Sequence, residues 1–109
     1  MPQDPTDSGV PSVQAPRVNY SKPVTVDVYP SIQNTLAAAD DDRVWVTVTN
    51  LTTTPVYIGV GDHGAIVGRG IPLMTTGSSV EIDDSTGAVY AIHESTGAKA
   101  VAVQSATKA

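Results

Sequence analysis

The chain has 109 residues, 16% of them charged, and six basic against eleven acidic side chains leave a net charge of −5. It holds no Cys and no Phe, two His, one Trp and four Tyr. The length supports one domain, the lack of Cys excludes disulfides, thiolate metal sites and thiol nucleophiles, and so acidic a chain lacks the positive patch a phosphate backbone requires, so no direct nucleic-acid partner is expected.

Residues 1–22 are read as an extended arm. Six of the eight Pro fall within the first 30 residues, and Pro removes backbone donors and fixes φ, which excludes a helix or a central strand. The sizeable apolar side chains here are Val10, Val13, Val18 and Tyr20, and the composition predicts a polyproline-like segment that needs a host surface to order it. The opening MPQDPTDSGVPS has no basic and no apolar stretch, which predicts no secretory signal. No apolar run approaches the roughly 20 residues of a membrane span, so no membrane partner is expected.

Residues 23–109 are read as one β domain. There are 16 Val, 6 Ile and 13 Thr against 3 Leu, and β-branched side chains suit a pleated surface. Val24–Val28 alternates, with Val24, Val26 and Val28 on one face. In Val44–Thr49, Val44, Val46 and Val48 oppose Trp45, Thr47 and Thr49. This period of two marks half-buried strands. Further strands are expected at Val56–Val60, Ala65–Val67, Ser79–Ile82, Ala88–His93 and Ala98–Gln104. About seven short strands with turn signals every 8–12 residues predict an all-β fold, a small antiparallel sandwich or barrel. Ile32–Ala39 is the one helix candidate, a single turn at most before the Asp40-Asp41-Asp42 loop. Asp84-Ser85-Thr86-Gly87-Ala88 recurs as Glu94-Ser95-Thr96-Gly97-Ala98. The echo predicts two matching tight turns, each with its Gly at positive φ, joining three strands in a meander.

Patterns that suggest chemistry weaken when their neighbours are read. Gly59-Val60-Gly61-Asp62-His63-Gly64 matches G-x-G-x-x-G, with Glu81 and Asp83 about 20 residues on, but Gly68, Gly70 and Pro72 forbid the helix that must follow. A Gly-rich loop that lets two segments pass closely, or that touches a partner, is expected instead. Asp62 and His63 are adjacent and point to opposite faces of a strand, unlike a triad. His63, His93 and Asp62 or Glu94 make a thin metal set, and Asp40, Asp41 and Asp42 diverge where a calcium loop alternates its ligands. Catalytic, cofactor and metal residues are therefore all expected to be absent, and the chain is not expected to be an enzyme. Trp45 is expected as a core or subunit-interface anchor. Asn19-Tyr20-Ser21 and Asn50-Leu51-Thr52 are glycosylation sequons by pattern alone.

The order of pieces after residue 43 carries a resemblance. Arg43-Val44-Trp45-Val46-Thr47-Val48-Thr49-Asn50 precedes Thr54-Pro55-Val56-Tyr57-Ile58-Gly59; Gly70-Ile71-Pro72-Leu73, Gly77-Ser78-Ser79-Val80-Glu81-Ile82, Gly87-Ala88-Val89-Tyr90-Ala91-Ile92 and Ala100-Val101-Ala102-Val103-Gln104 follow. Over about 60 residues this resembles small virion proteins of tailed bacteriophages, above all capsid decoration (cement) proteins and related head accessory proteins. The resemblance implies a β-sandwich or barrel made in the host cytoplasm and mounted on the outer capsid surface, often as a homo-oligomer (dimer or trimer). It implies the major capsid protein as partner and an extended terminus clamping neighbouring capsid subunits. On that reading Val10, Val13, Val18 and Tyr20 are the arm's anchors, and Arg17 and Lys22 pair with acidic capsid groups. The alternatives are another phage tail or head accessory protein, a glycan-binding adhesin-type β-module stacking sugars on Trp45 and the tyrosines, and a small β-barrel enzyme using His63 or His93.

Overall fold

Short runs of Val, Ile and Thr between Gly, Pro and Asp clusters cannot satisfy their backbone groups alone, and they do so by pairing as strands. The computed structural model describes residues 18–62 and 64–109. In chain order the strands are β1 (Val18–Tyr20), β2 (Val24–Val28), β3 (Asn34–Ala37), β4 (Arg43–Asn50), β5 (Val56–Val60), β6 (Ile71–Leu73), β7 (Ser79–Ile82), β8 (Val89–Ile92) and β9 (Lys99–Lys108). One sheet runs β9-β4-β7, with β1 and β2 both paired to the other edge of β9; the second runs β3-β8-β5-β6. All of these ladders are antiparallel.

The core lies between the two sheets. Val28, Val46, Val48, Ile82, Val101 and Val103 come from the first sheet, and Leu36, Val56, Ile58, Leu73, Val89 and Ala91 from the second. Fully burying one such side chain contributes roughly 1.5–3 kcal/mol. The expected all-β fold is present, with nine strands among the described residues forming a two-sheet sandwich.

Four local expectations are corrected. Ile32–Ala39 is not helical: residues 34–37 form β3, which pairs with β8 and buries Leu36. Cross-strand pairing outweighs the helix propensity of the Ala37-Ala38-Ala39 run. Residues 65–67 are not a strand; they belong to the loop that joins β5 to β6. The three-strand meander is absent, because β7 and β9 lie in the first sheet and β8 in the second. The two echoed segments cross between sheets, and only Gly97 of the pair has positive φ, at 72°. Val44 leaves the core face, because a bulge between Arg43 and Trp45 shifts the register of β4 on β9. Val44 is exposed while Val46 and Val48 are fully buried.

Successive strands run up and down, so the loops sort to two ends. Loops 29–33, 51–55, 74–78 and 93–98 gather at one end, linked across the sheets by the Pro30–His93 bridge and by the Asn50 side chain on the Leu73 carbonyl. Loops 38–42, 61–70 and 83–88 lie at the other end, together with the start of β1, where Val18 pairs with Lys108.

Candidate functional site

The arm is rooted in the sheet. The five residues from Tyr20 to Val24 oppose the four from Ala106 to Val103. Strands β1 and β2 thus form one edge strand carrying one extra residue, as in a β-bulge. Ser21 holds the bulge: its N–H donates to the Ser105 carbonyl at 2.8 Å, and its hydroxyl accepts the Ser105 N–H at 2.9 Å. The Gln104 amide donates to the Ser21 carbonyl at 3.1 Å. Pro23, which has no N–H to give a ladder, sits at this edge.

Tyr20 and Trp45 both face Ala106 across β9. Directly opposed residues share a face, so the two rings meet above Ala106, with centroids 5.9 Å apart and planes tilted by 47°. Ala106 is fully buried on what would otherwise be the open face of the sheet. Trp45 is half-buried. It packs as an anchor for the arm's root, and Tyr20 remains 67% exposed. Val18 is half-buried. Lys22 is exposed beside a cleft of about 340 Å³ between the bulge and the β3–β4 loop, whose walls include Val24, Leu36, Ala37 and Val103. Of the arm residues expected to contact a partner, Val10, Val13 and Arg17 lie outside the described residues, as does His63.

Three buried polar side chains organise the loops. Asn50 is fully buried. Its amide donates to the carbonyls of Thr54 and Leu73, each at 2.8 Å, and its side-chain oxygen accepts the Thr52 N–H and hydroxyl. Its backbone pairs with Gly77 and Ser78. The sequon amide therefore has no freedom to carry a glycan. His93 is also fully buried. Its Nδ1 accepts the Ser95 N–H at 3.1 Å, which leaves Nε2–H to donate to the Val28 carbonyl at 2.9 Å. Neither nitrogen is open to a metal or a substrate. Arg43 is 5% exposed, and its guanidinium donates to the carbonyls of Ala38, Ser85 and Gly87. It ties the β3–β4 loop to the β7–β8 connection.

Sequence reasoning missed Asn50 and His93 as organisers. A signal existed: each follows, in phase, the core positions of its strand, Val46 and Val48 for Asn50, Val89 and Ala91 for His93. A polar residue on the core face must find partners. Arg43 had no such signal, because the bulge breaks its phase with Val46.

The G-x-G-x-x-G stretch is a close-approach loop. A Cβ at Gly59 would stand 2.0 Å from the Gly64 carbonyl oxygen, so the loop lies directly on the sheet. The Gln33 side chain accepts the Ala65 N–H at 3.1 Å and holds it there. A second pocket, about 230 Å³, lies at the opposite end and is lined by Thr53, Thr54, Pro55, Tyr57, Glu94 and Ser95. Among the described residues, no group of three His, Asp or Glu side chains is placed to share a metal. No helix there is long and apolar enough to cross a membrane. No protein-family model matches the chain, and no curated protein matches it significantly in sequence.

Proposed function

We propose that this chain is a structural virion protein that binds an assembled tailed-phage capsid and stabilises it, a decoration or cement protein on the outer capsid surface. The major capsid protein is its partner, and the chain acts by holding rather than by catalysis. The observation that carries the reading is the root of the arm. A Pro-rich segment with few apolar side chains gains little by folding on itself. Here it joins the body through a strand paired to β9 and through Tyr20 packed on Trp45. Such a junction passes load from an extended clamp into a sandwich. Val10, Val13 and Arg17 are the arm's contacts with the shell, while Val18 and Tyr20 anchor its root. The order of phrases from Arg43 to Gln104 supports the same reading.

The test is co-sedimentation of the purified chain with shells of the cognate major capsid protein. Full-length protein should pellet with the shells, and a chain lacking residues 1–17 should pellet at least tenfold less at equal concentration. Full binding by the truncated chain would remove the arm from the mechanism. No pelleting by either would remove the capsid as partner.

A further inference from the structure

The charges are divided between the two ends. Loops 38–42, 61–70 and 83–88 carry six aspartates: Asp40, Asp41, Asp42, Asp62, Asp83 and Asp84. Loops 29–33, 51–55, 74–78 and 93–98 carry a single carboxylate, Glu94, and no Lys or Arg. Lys99, the first residue of β9, stands at the same end as Glu94, so in a chain of net charge −5 that end is close to neutral. It is also apolar at its tips. Tyr29, Ile32, Leu51 and Met74 are 46–59% exposed there, four of the eight large apolar side chains exposed among the described residues. Clustered exposed apolar side chains mark interaction sites, and interface centres are poor in charge and rich in aromatic side chains and Met.

The neutral end is also held rigid. Asn50 ties loop 51–55 to loop 74–78, and the Thr76 hydroxyl donates to the Thr52 carbonyl at 2.8 Å. His93 fixes Ser95 through Nδ1, and its backbone carbonyl accepts the Ser31 N–H at 2.8 Å. Loop 29–33 is held further by the Asn34 amide on the Ile32 carbonyl at 2.9 Å. All four loops are thus fixed before any partner arrives, which lowers the ordering cost of binding. Between two of these loops lies the pocket of about 230 Å³, lined by Tyr57 and Pro55 among others, with Glu94 as its charge.

We infer that the neutral end is a docking face for a partner protein, and that the pocket between Tyr57 and Glu94 receives an arginine side chain of that partner. A guanidinium stacks on an aromatic face and pairs with a carboxylate. An anchor of this kind in a central pocket, ringed by uncharged contacts that exclude water, is the arrangement of an interface hot spot. Glu94 is the one charged residue that lines the pocket, so it sets the sign of the side chain that enters. The inference rests on the reading of the chain as a protein that docks on another protein, and it does not require that partner to be a shell.

The test uses the full isotopically labelled chain and no shell, so failure here and failure of co-sedimentation are separate results. N-acetyl-argininamide is titrated and followed by NMR. Saturable shifts at millimolar concentrations are expected at the Thr53, Thr54 and Ser95 amides and the Tyr57 ring. Glu94→Gln, at an exposed position, should raise the dissociation constant about fivefold. Tyr57→Val should abolish the shifts, with the spectrum elsewhere unchanged. Absence of shifts with argininamide overturns the inference. So do shifts of these amides with methyl glycosides alone, which would make the pocket a sugar subsite. Shifts that grow with protein concentration and no ligand would make a second copy the occupant, and would also overturn it.

Discussion

Gly59 and Gly61 are two residues apart and constrained for different reasons. Gly59 lies under the backbone of Gly64 and Ala65, which cannot retreat without lifting the whole β5–β6 loop. Gly61 has open space around it but a φ of 86°. Gly59→Ala should therefore cost about 3 kcal/mol or the loop its seat, as overpacking does. Gly61→Ala should cost about 1 kcal/mol, from the left-handed backbone alone. Thermal melts separate the two, since 1 kcal/mol is roughly 4–8 °C for a domain of this size. Equal melting temperatures would mean that the loop does not press on the sheet. Asn50 supports a second prediction. Asn50→Asp keeps the shape but turns an oxygen toward the Thr54 and Leu73 carbonyls. A buried acceptor facing acceptors costs several kcal/mol, so the variant should lose about 3 kcal/mol in denaturant unfolding. Thr52→Val, which removes one hydroxyl, should lose about 1 kcal/mol.

Strands β1 and β2 lead to a prediction about elements. Removal of residues 1–17 leaves β1, its ladder and the Tyr20–Trp45 contact in place, and the melting temperature should stay within 2 °C, roughly a few tenths of a kcal/mol. Removal of residues 1–22 takes away the ring above Ala106 and the Ser21 contacts with Ser105. That chain should still fold, but melt lower by about 5 °C or more, given that an aromatic pair alone is worth about 0.5–1.5 kcal/mol. Trp45 emission should shift to the red only in the shorter chain. An unchanged emission would mean that Tyr20 does not cover Trp45. Several elements were legible in the sequence: residues 24–28, 56–60 and 79–82 are strands at the expected bounds, because β-branched residues alternate there without interruption. Strand β3 was not legible, since Leu36 and the alanines after it suit a helix until β8 is present to pair with them. Nor was the crossing of the two echoed segments. Similar turn residues leave open which sheet the next strand joins; that depends on partners distant in the chain, as with Val24 of β2 on Val103 of β9.

At the scale of the whole molecule, topology sorts what the sequence scatters. Asp40 and Asp84 are distant in the chain, yet they reach the same end because β3 and β7, which precede them, both run toward it in different sheets. The same sorting leaves the other end neutral, and no local pattern announces it. The segment 1–17 joins the acidic end at Val18. Seventeen extended residues span at most about 60 Å, whereas the ten residues of β9 span about 33 Å. On the proposed reading, an arm drawn out to that limit is long enough to reach a surface on which the neutral end stands. Binding that uses the arm proposed above and a nearly neutral loop platform depends little on long-range charge. Association with cognate shells should therefore persist between 0.1 and 1 M salt, where the Debye length falls from about 10 to 3 Å. The bound protein should also raise the temperature at which shells break. A ligand that binds only the assembled state stabilises it by mass action, about 2.7 kcal/mol per site at a hundredfold excess over the dissociation constant. Light scattering of heated shells, with and without the protein, measures this directly. A midpoint that rises with protein concentration is the expected result. Binding lost by 0.5 M salt would place the contact on the aspartates of the acidic end instead. A midpoint that does not move would mean that the protein decorates the shell without stabilising it.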